Sequence, residues 1–553
     1  MEESTKVNEV VKEKTSIEKK ADFDGIIKTY LESNPMFKKG YTTSELEIRF
    51  GTNPKVNKYI SKIDYDNVVK YLYHHGFKTD NINGNQILRI QNEFIDKRTG
   101  VKKISNIRAE LVGADMIQSY CKTNNLQKII DMPSTTFNMI KFTQKRPALD
   151  KDGKSVQKVD MEDYNFRVSF QNEQDFHTHT PLARDILSKW EDSLKIFRAM
   201  NRVRFTHETY PVFIDLSIVR SSKKKNKIVI PKYTIQDAGV FENVETYEIE
   251  IEVDNSRVGL NTSYEKAKDL ADVLRKCIRI VMCGIQETNF PISYKEKNQV
   301  LEKYMQLIHG ETNDRIARPK DFIGPGSFTL QMENITELKE DDNIPNIRDY
   351  YTVTDKADGE RRLLYIAGDG KVYLIDTNMN VNFTGAKTNE KTLFYSLLDG
   401  EHIKYDKLGQ FLNLYAAFDI YYKNKKSVRD LHFQTTELDV VEGEEKPKHG
   451  RLHVLQDLIN SLQIHSIMDK KSTGEVKSDK NSKNLPIQVK CKEFYVHSVE
   501  KPIFDGCMKI LSNEKDGIYN YNTDGLIFTP ARLSVGGTEL NGQPGPLYKN
   551  TWS

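Results

Sequence analysis

Two segments of the sequence place charged side chains at every second position, which in an extended strand puts them on one face. ELEIRFG carries Glu45, Glu47 and Arg49 in this pattern, and YEIEIEVD carries Glu248, Glu250 and Glu252. Each strand alone is typical of an amphipathic strand whose glutamates face water. Because aligned carboxylates repel one another, the pattern also fits a divalent cation or opposing basic side chains.

Basic residues recur in other strand-like runs of the same region. They are Arg89, Arg108, Arg167, Arg202 and Arg204. Carboxylates bind Mg²⁺ or Mn²⁺ through hard oxygen ligands, and arginines bind phosphate oxygens through paired hydrogen bonds. Carboxylates at one end and guanidinium groups at the other therefore suit a triphosphate with its metal. Both would stabilise the charge that develops as water attacks the terminal phosphorus.

A second candidate site begins with a lysine. The segment Lys356-Ala-Asp358-Gly359-Glu-Arg361 lies between the strand-like runs TVT and LLYI, which places it at a turn. By itself it fits an ordinary polar hairpin, because Asp-Gly is a common turn. Charged residues follow in later strand-like segments: Glu401 in LLDGEHI, Asp419 in NLYAAFDIYY, Lys490 and Lys492 in IQVKCKEFY, and Asp524 in NTDGLIFTP.

The elements that must position these residues differ between the two halves of the chain. From Ser44 to about Asp254 period-two runs dominate, which predicts an antiparallel barrel or sandwich. Residues 262–288 have apolar positions at helical spacing and predict a helix that closes the first domain. From about Arg315 onward short strands and helices mix, which predicts an α+β domain. Residues 1–20 predict a disordered tail, SSKKKNK (221–227) a basic loop, and residues 467–485 a polar loop.

Composition excludes several classes of protein. A chain of 553 residues is too long for one core, so two domains or more are expected. Five scattered cysteines show neither zinc-knuckle spacing nor a disulfide framework, which favours a reducing compartment. The N-terminus has no signal-peptide core and no apolar run is long enough to span a membrane. We therefore expect a soluble, cytoplasmic protein with no membrane partner.

The paired glutamate strands resemble those of the tunnel-type, metal-dependent RNA triphosphatases of fungi, protozoa and large DNA viruses. The resemblance covers roughly residues 40–255 and implies an eight-stranded tunnel with the site inside. It implies Glu45, Glu47 and Glu252 as ligands of Mg²⁺ or Mn²⁺, and Glu250 with Glu248 as residues that orient water and basic side chains. It also implies phosphate contacts from Arg49, Arg167, Arg202 and Arg204, with Asp215 on a further acidic strand.

The lysine segment resembles the Lys-x-Asp-Gly-x-Arg signature of covalent nucleotidyltransferases, which are mRNA guanylyltransferases and polynucleotide ligases. The resemblance implies that deprotonated Lys356 attacks the α-phosphorus of GTP and forms a lysyl-GMP intermediate, which requires a lowered lysine pKa. It implies ribose contacts from Arg361 and Glu401, support of the metal or the lysine by Asp524, and a phosphate contact from Lys490. FIGPGSFTL (322–330) is similar to the start of viral guanylyltransferase domains; it lacks the Lys-Ser/Thr end of a phosphate loop.

Together the two patterns resemble the capping enzymes of large nucleocytoplasmic DNA viruses. A triphosphatase before a nucleotidyltransferase suits capping, because GMP transfer needs a diphosphate RNA end, whereas a ligase needs none. A ligase-type enzyme and a non-catalytic scaffold are the alternatives. The expected domains are a tunnel over 21–260, a helical connection over 261–310 and a nucleotidyltransferase over 311–553. The chain ends before the family's lysine strand and OB-fold, so we expect a fragment, with 5′-triphosphate RNA, GTP and a cap methyltransferase as partners and the host cytoplasm or virion as location.

Overall fold

The structure of the protein is a computed structural model in which two compact units follow one another, over residues 1–287 and 288–553. It describes residues 16–37, 42–52, 58–96, 98–132, 139–226, 228–312, 314–337, 345–434, 450–468, 486–498 and 501–536. No helix within these ranges is both long and apolar enough to cross a membrane. All five cysteines lie within them and carry free thiols.

The first unit is built on long antiparallel strands. Its strands are β1 (Thr42–Phe50), β2 (Asn85–Ile95), β3 (Lys102–Ile104), β4 (Ile107–Val112), β5 (Ile140–Pro147), β6 (Val159–Met161), β7 (Phe166–Phe176), β8 (Lys195–Thr206), β9 (Val212–Ser221), β10 (Lys224–Lys225), β11 (Ile228–Val229) and β12 (Thr246–Val253). Its helices are α1 (Ser16–Glu32), α2 (Lys62–His74), α3 (Ala114–Thr123), α4 (Leu126–Ile130), α5 (Pro181–Ser188) and α6 (Ala267–Gln286), with 3₁₀ turns at Glu162–Tyr164 and Asn255–Arg257.

Eight of these strands close into a barrel. Hydrogen bonds join them in the order β1-β12-β9-β8-β2-β4-β5-β7, and β7 pairs back with β1 from Thr42↔Gln174 to Phe50↔Phe166. Closure leaves no free sheet edge among these strands. The predicted antiparallel tunnel is therefore confirmed, and each strand-like run identified in the sequence lies in one of its strands.

Alternation along the strands decides which side chains face the tunnel. On β1, Leu46, Ile48 and Phe50 are buried in a core that also contains residues of α1, α2 and α6. The helices thus cover the outer, apolar face of this part of the barrel, and the alternate residues point into its interior. Burial of the apolar faces stabilises the barrel at about 25 cal/mol per Å² of apolar surface.

The described residues of the second unit form two sheets. Its strands are β13 (Tyr351–Ala357), β14 (Glu360–Ile366), β15 (Lys371–Asp376), β16 (Val381–Lys387), β17 (Ser396–Tyr405), β18 (Phe411–Lys423), β19 (Lys426–Ser427), β20 (His465–Ser466), β21 (Gln488–Cys491), β22 (Tyr495–Val496) and β23 (Thr523–Pro530). Its helices are α7 (Tyr294–His309), α8 (Arg451–Ser461) and α9 (Ile503–Lys515), with 3₁₀ turns at Pro319–Asp321, Met332–Asn334 and Lys391–Leu393.

The larger sheet of the second unit has the order β19-β18-β17-β14-β15-β16-β20, with β21 added parallel to β18. The smaller sheet has the order β22-β13-β23 and packs its apolar side chains with those of α9. The predicted α+β class of this half is confirmed. The lysine motif connects the sheets, because Lys356 lies near the end of β13 in the smaller sheet and Arg361 lies on β14 in the larger one.

Several expected segments differ in detail. Residues 16–20 of the expected tail belong to α1, because Phe23, Ile26 and Ile27 bury that helix on the barrel, and residues 1–15 lie outside the described part. The expected connection over 261–310 is divided: α6 belongs to the first unit and α7 to the second. The expected basic loop contains β10, which pairs with β11 directly after the loop. Residues 469–485 of the expected polar loop lie outside the described residues.

Candidate functional site

The interior of the barrel brings the two acidic strands side by side. In the pairing of β1 with β12, Glu47 lies opposite Glu252 and Arg49 opposite Glu250. In the pairing of β1 with β7, Arg49 lies opposite Arg167. Directly opposite residues share a face of a sheet, so all five point into the tunnel.

The three predicted metal ligands lie on one wall, and each binds a basic side chain. Lys145 Nζ lies 2.5 Å from Glu45 Oε1, Arg49 Nε lies 3.2 Å from Glu47 Oε1, and Arg204 Nη2 lies 2.7 Å from Glu252 Oε2. Among the described residues, no group of three or more His, Cys, Asp or Glu side chains is arranged so that it could hold a metal ion. A cation would thus have to displace basic groups from these carboxylates.

The chemistry of the donor set nevertheless fits a divalent cation. Glu45 Oε2 is buried and has no hydrogen-bond partner in the described part of the chain. Burial and the nearby carboxylates of Glu250 and Glu45 raise the pKa of Glu47, against the effect of Lys145 and Arg49. Burial also raises the pKa of Glu252 to about 7, with Arg204 opposing and Glu45 adding to the shift. A raised pKa means that the surroundings stabilise the ionised carboxylate poorly. A hard cation bound by the carboxylate oxygens would supply the stabilising positive charge.

Glu250 has the opposite environment. Its carboxylate lies 2.8 Å from Arg49 Nε and 3.4 Å from Arg202 Nη2. Burial alone would raise the pKa of Glu250, but these arginines and two more lower it. Glu250 therefore stays ionised and binds the two guanidinium groups.

Asp215 holds the other predicted phosphate-binding residues. Its Oδ2 lies 3.1 Å from Arg202 Nη1 and 2.7 Å from Arg204 Nη2. Asp215 lies opposite Arg204 across β8 and β9, so its carboxylate holds both arginines in fixed positions. Arg167 is placed differently, because it binds Asp160 of β6 at 2.6 Å.

Lys145 is a tunnel residue that was not identified from the sequence. It lies on β5, and its Nζ lies 2.5 Å from Glu45, 4.0 Å from Glu47 and 3.3 Å from Glu173. Its signal was the alternation Lys141, Thr143, Lys145 in IKFTQKRP. That run is short and ends in proline, so the sequence alone does not show which of its residues face the tunnel. The pairing of β5 with β4 and β7 shows it.

In the second unit Lys356 lines a cavity of about 180 Å³. The pairing of β13 with β23 shifts register between Asp355 and Ala357, so Lys356 occupies a β-bulge. A bulge re-aims a side chain, and here Lys356 Nζ lies 3.1 Å from Asp524 Oδ2. The cavity is lined by Pro325, Ser327, Thr354, Lys356, Ala357, Arg361, Glu401, Phe418, Lys492, Phe494, Ile527 and Thr529.

Arg361 is held rigidly at this cavity. Its Nη2 and Nε donate to Asp399 at 2.6 and 3.1 Å, and its Nη1 donates to the carbonyl of Pro325 at 2.6 Å. The Gly-Pro-Gly segment passes so close that a Cβ on Gly324 would lie 2.7 Å from Arg361 Nη2. That glycine is therefore needed for close approach to Arg361, and Ser327 and Pro325 beside it line the cavity.

Glu401 lies opposite Arg361 across β14 and β17. The strands approach closely at Gly359, where an added Cβ would lie 2.8 Å from Glu401 Cγ. Burial raises the pKa of Glu401 to about 7; Lys492 opposes this shift and Asp399 adds to it. The glycine of the lysine motif thus permits the strand contact that brings Glu401 to the cavity.

The raised pKa of Glu401 predicts a pH-dependent stability. The folded chain binds this proton more tightly than the unfolded chain, so stabilisation present below about pH 4.5 is lost as the pH rises through 7. We expect Glu401→Gln to raise the melting temperature at pH 8 and to leave it unchanged at pH 4, measured by calorimetry. Glu302→Gln, on the exposed face of α7, is the matched control. An equal shift at both pH values would contradict the assignment.

The structure does not bring Lys490 to the cavity. Lys490 is exposed on β21, whereas Lys492 is buried and lines the cavity. β21 ends at Cys491, and the Lys492 side chain turns inward to bind Asp355, with Nζ 3.2 Å from Oδ2. Of these two lysines, Lys492 is the one among the residues that line the cavity. Asp419 lies outside the lining residues and forms a fully buried ion pair with Arg451 at 2.9 Å.

Residues of the second unit are similar in sequence to a known protein family. Residues 291–539 match the family described as "mRNA capping enzyme, catalytic domain". A probable mRNA-capping enzyme of Acanthamoeba polyphaga mimivirus is 31% identical over 175 residues, which are 32% of this chain. The chain spans only 12% of that relative's length.

Two solved structures align with about half of the chain. The mimivirus capping enzyme triphosphatase covers 48% of this chain and 97% of its own, with a TM-score of 0.30 and 12% identity. The Pct1 RNA triphosphatase of S. pombe covers 51% of this chain and 98% of its own, with a TM-score of 0.25 and 14% identity. Residues 291–539, in the second unit, are thus similar to the catalytic domain of mRNA capping enzymes.

Proposed function

We propose that this chain acts in mRNA 5′-capping through two sites, an RNA 5′-triphosphatase in the barrel and a GTP:RNA guanylyltransferase in the second unit. The observation that carries the proposal is Lys356, which lies in a signature turn at a cavity with Arg361 and Glu401, within a domain of the capping enzyme family. Triphosphate-ended RNA and GTP are the proposed substrates. The proposed location is the host cytoplasm or virion of a large DNA virus, with a cap methyltransferase as a further partner.

In the barrel, Glu45, Glu47 and Glu252 would hold Mg²⁺ or Mn²⁺. The bound metal would neutralise phosphate charge and polarise the terminal phosphorus toward water. Arg49, Arg202 and Arg204 bind the phosphate oxygens, and Glu250 and Asp215 keep these arginines in place through the ion pairs described above. Arg167, which binds Asp160, contributes to the positive charge beside Arg49.

In the second unit the Lys356 amine is the nucleophile. It attacks the α-phosphorus of GTP, a P–N bond forms, and the P–O bond to pyrophosphate breaks. Lys492 is buried at the same cavity, where it binds Asp355. Arg361 and Glu401 bind the ribose, Asp524 orients the lysine, and the aromatic rings of Phe418 and Phe494 are placed to contact the base.

Ligase-type chemistry uses the same lysine, so the nucleotide decides between the two functions. The chain is incubated with α-labelled GTP or α-labelled ATP and separated by denaturing electrophoresis. We expect covalent label from GTP alone, and release of γ-phosphate from triphosphate-ended RNA in the presence of Mg²⁺ or Mn²⁺. Label from ATP alone would identify a ligase-type enzyme. The absence of both covalent label and phosphate release would support a non-catalytic scaffold.

A further inference from the structure

One wall of the barrel, formed by β2, β8 and β9, continues past an end of the barrel into exposed hairpins. Asn92 of β2 lies opposite Lys195 at the start of β8, and Lys195 pairs on its other side with Lys232. Beyond this row β2 turns into β3, and β9 leads into the β10–β11 hairpin. The described residues of 93–103 and 223–233 thus form one continuous surface at this end, which we call the rim surface.

The rim surface carries an excess of positive charge. Its charged side chains within the described residues are Glu93, Asp96, Arg98, Lys102, Lys103, Lys223, Lys224, Lys225 and Lys232. Ion pairs with carboxylates are formed by Lys102, Lys103 and Lys223. The other cations are exposed and form no ion pair within the described part of the chain: Arg98, Lys224, Lys225 and Lys232. Cations that face water without a carboxylate partner favour an anionic ligand.

The opposite end of the same wall lacks this charge. There the segment before β2 (residues 75–84) and the turn between β8 and β9 (residues 207–211) carry Lys78 against Asp80 and Glu208. The wall is therefore positive at the rim surface and not at its other end. Because RNA phosphates are attracted to clustered cations, this polarity favours an RNA chain that leaves the barrel at the rim surface.

Exposed aromatic and aliphatic side chains are interleaved with these cations. Phe94, two residues past Asn92, is 46% exposed, and Tyr233, next to Lys232, is 55% exposed. Aliphatic side chains exposed on the same surface are Ile95, Val101 and Ile228. Aromatic rings beside cations stack with the bases of single-stranded RNA, whereas an acidic peptide offers no bases to stack. The composition therefore favours single-stranded RNA as the anionic ligand.

The rim surface lies beyond the reach of the 5′-triphosphate. Lys195, in the row that borders the rim surface, precedes Arg202 by seven residues on β8, which is about 23 Å along a strand. Arg202 and Arg204 are the proposed phosphate contacts of this strand, and three linked phosphates are much shorter than that distance. An RNA group bound at the rim surface therefore belongs to nucleotides further along the chain.

We propose that the rim surface binds the single-stranded RNA that follows the 5′-terminal nucleotides. Its unpaired cations contact backbone phosphates, and Phe94 and Tyr233 contact bases. The barrel then holds its substrate at two places, so a longer RNA is bound more tightly than a dinucleotide with the same triphosphate end. This inference rests on the proposed triphosphatase function of the barrel.

The test combines Lys224→Gln with Lys225→Gln, which removes two exposed charges from the rim surface. Release of γ-phosphate by the full chain is measured on a triphosphate-ended dinucleotide and on a triphosphate-ended RNA of about 20 nucleotides. We expect KM for the longer RNA to rise about 10-fold, while its kcat and both constants for the dinucleotide stay unchanged. Lys122→Gln combined with Lys128→Gln is the matched control, since these exposed lysines lie on α3 and α4, which follow β4 at the other end of the barrel.

Binding supplies a readout that a general loss of structure would not reproduce. The affinity of the full chain for the longer RNA with a diphosphate end is measured by fluorescence anisotropy at several salt concentrations. Loss of two phosphate contacts should reduce the slope of log K against log salt by about 1.4 in the double lysine variant. Tyr233→Ala should weaken binding about 10-fold and leave the slope unchanged, because a stacking contact carries no charge.

Equal changes of KM on both RNAs, or an unchanged slope, would overturn the RNA-binding surface. A double lysine variant that loses only the binding of a polyglutamate peptide would overturn it as well, in favour of an acidic protein partner. If the unmodified chain releases no phosphate from either RNA, the proposed triphosphatase function fails instead, and the salt slope alone decides whether the rim surface binds RNA.

Discussion

A Lys356→Ala chain is expected to form no GMP adduct and to release γ-phosphate from RNA at the rate of the unmodified chain. The adduct needs the Lys356 amine, which lies at the β13 bulge 3.1 Å from Asp524 and lines the cavity with Arg361. The carboxylates of the barrel belong to the other compact unit. The adduct signal should therefore fall to background, which is the largest effect that any single substitution in the second unit can have.

Both activities are measured on the same preparation, with labelled GTP for the adduct and labelled triphosphate-ended RNA for phosphate release. Lys356→Arg is the matched variant, because it keeps the positive charge beside Asp524 but cannot act as the nucleophile. Label that survives in Lys356→Ala would assign the nucleophile to another lysine, with Lys492 the first candidate. Loss of phosphate release in the same variant would contradict two separate sites.

Removal of divalent cations is expected to abolish phosphate release, and Glu47→Gln to reduce it by about 10² to 10³ in kcat. Glu47 lies opposite Glu252 in the strand pairing, and both carboxylates have raised pKa values that a cation would reverse. The glutamine keeps the size of the side chain and removes its charge. No cysteine is followed by arginine at the spacing of a cysteine-type phosphatase, so the sequence does not predict that mechanism.

Phosphate release is measured with Mg²⁺, with Mn²⁺ and after chelation. Glu245→Gln is the matched control, because Glu245 binds Arg220 at the end of β12 away from the tunnel. Glu252→Gln should behave as Glu47→Gln does, while the GMP adduct persists in both variants. Release that continues after chelation would rule out Glu45, Glu47 and Glu252 as metal ligands.

Much of the candidate barrel site was predictable because a strand has a period of two. Glu45 and Glu47, and likewise Glu250 and Glu252, could be placed on one face from their spacing alone. Spacing could not show that Glu47 faces Glu252, because that depends on which strands pair and in which register. It could not reveal Lys145 or the pairing of Arg89 with Arg198, which join residues of separate strands across the barrel wall.

The second site likewise combines features that the sequence predicts with features that depend on the tertiary structure. The motif from Lys356 to Arg361 spans six consecutive residues. The sequence by itself therefore determined that a lysine, an acidic turn and an arginine lie close together. Only the tertiary structure decided that Lys492 rather than Lys490 reaches the cavity and that Asp419 is buried with Arg451. The physical reason is that spacing along a strand specifies on which side of the strand a side chain lies. Strand ends, bulges and burial specify which other residues that side chain contacts.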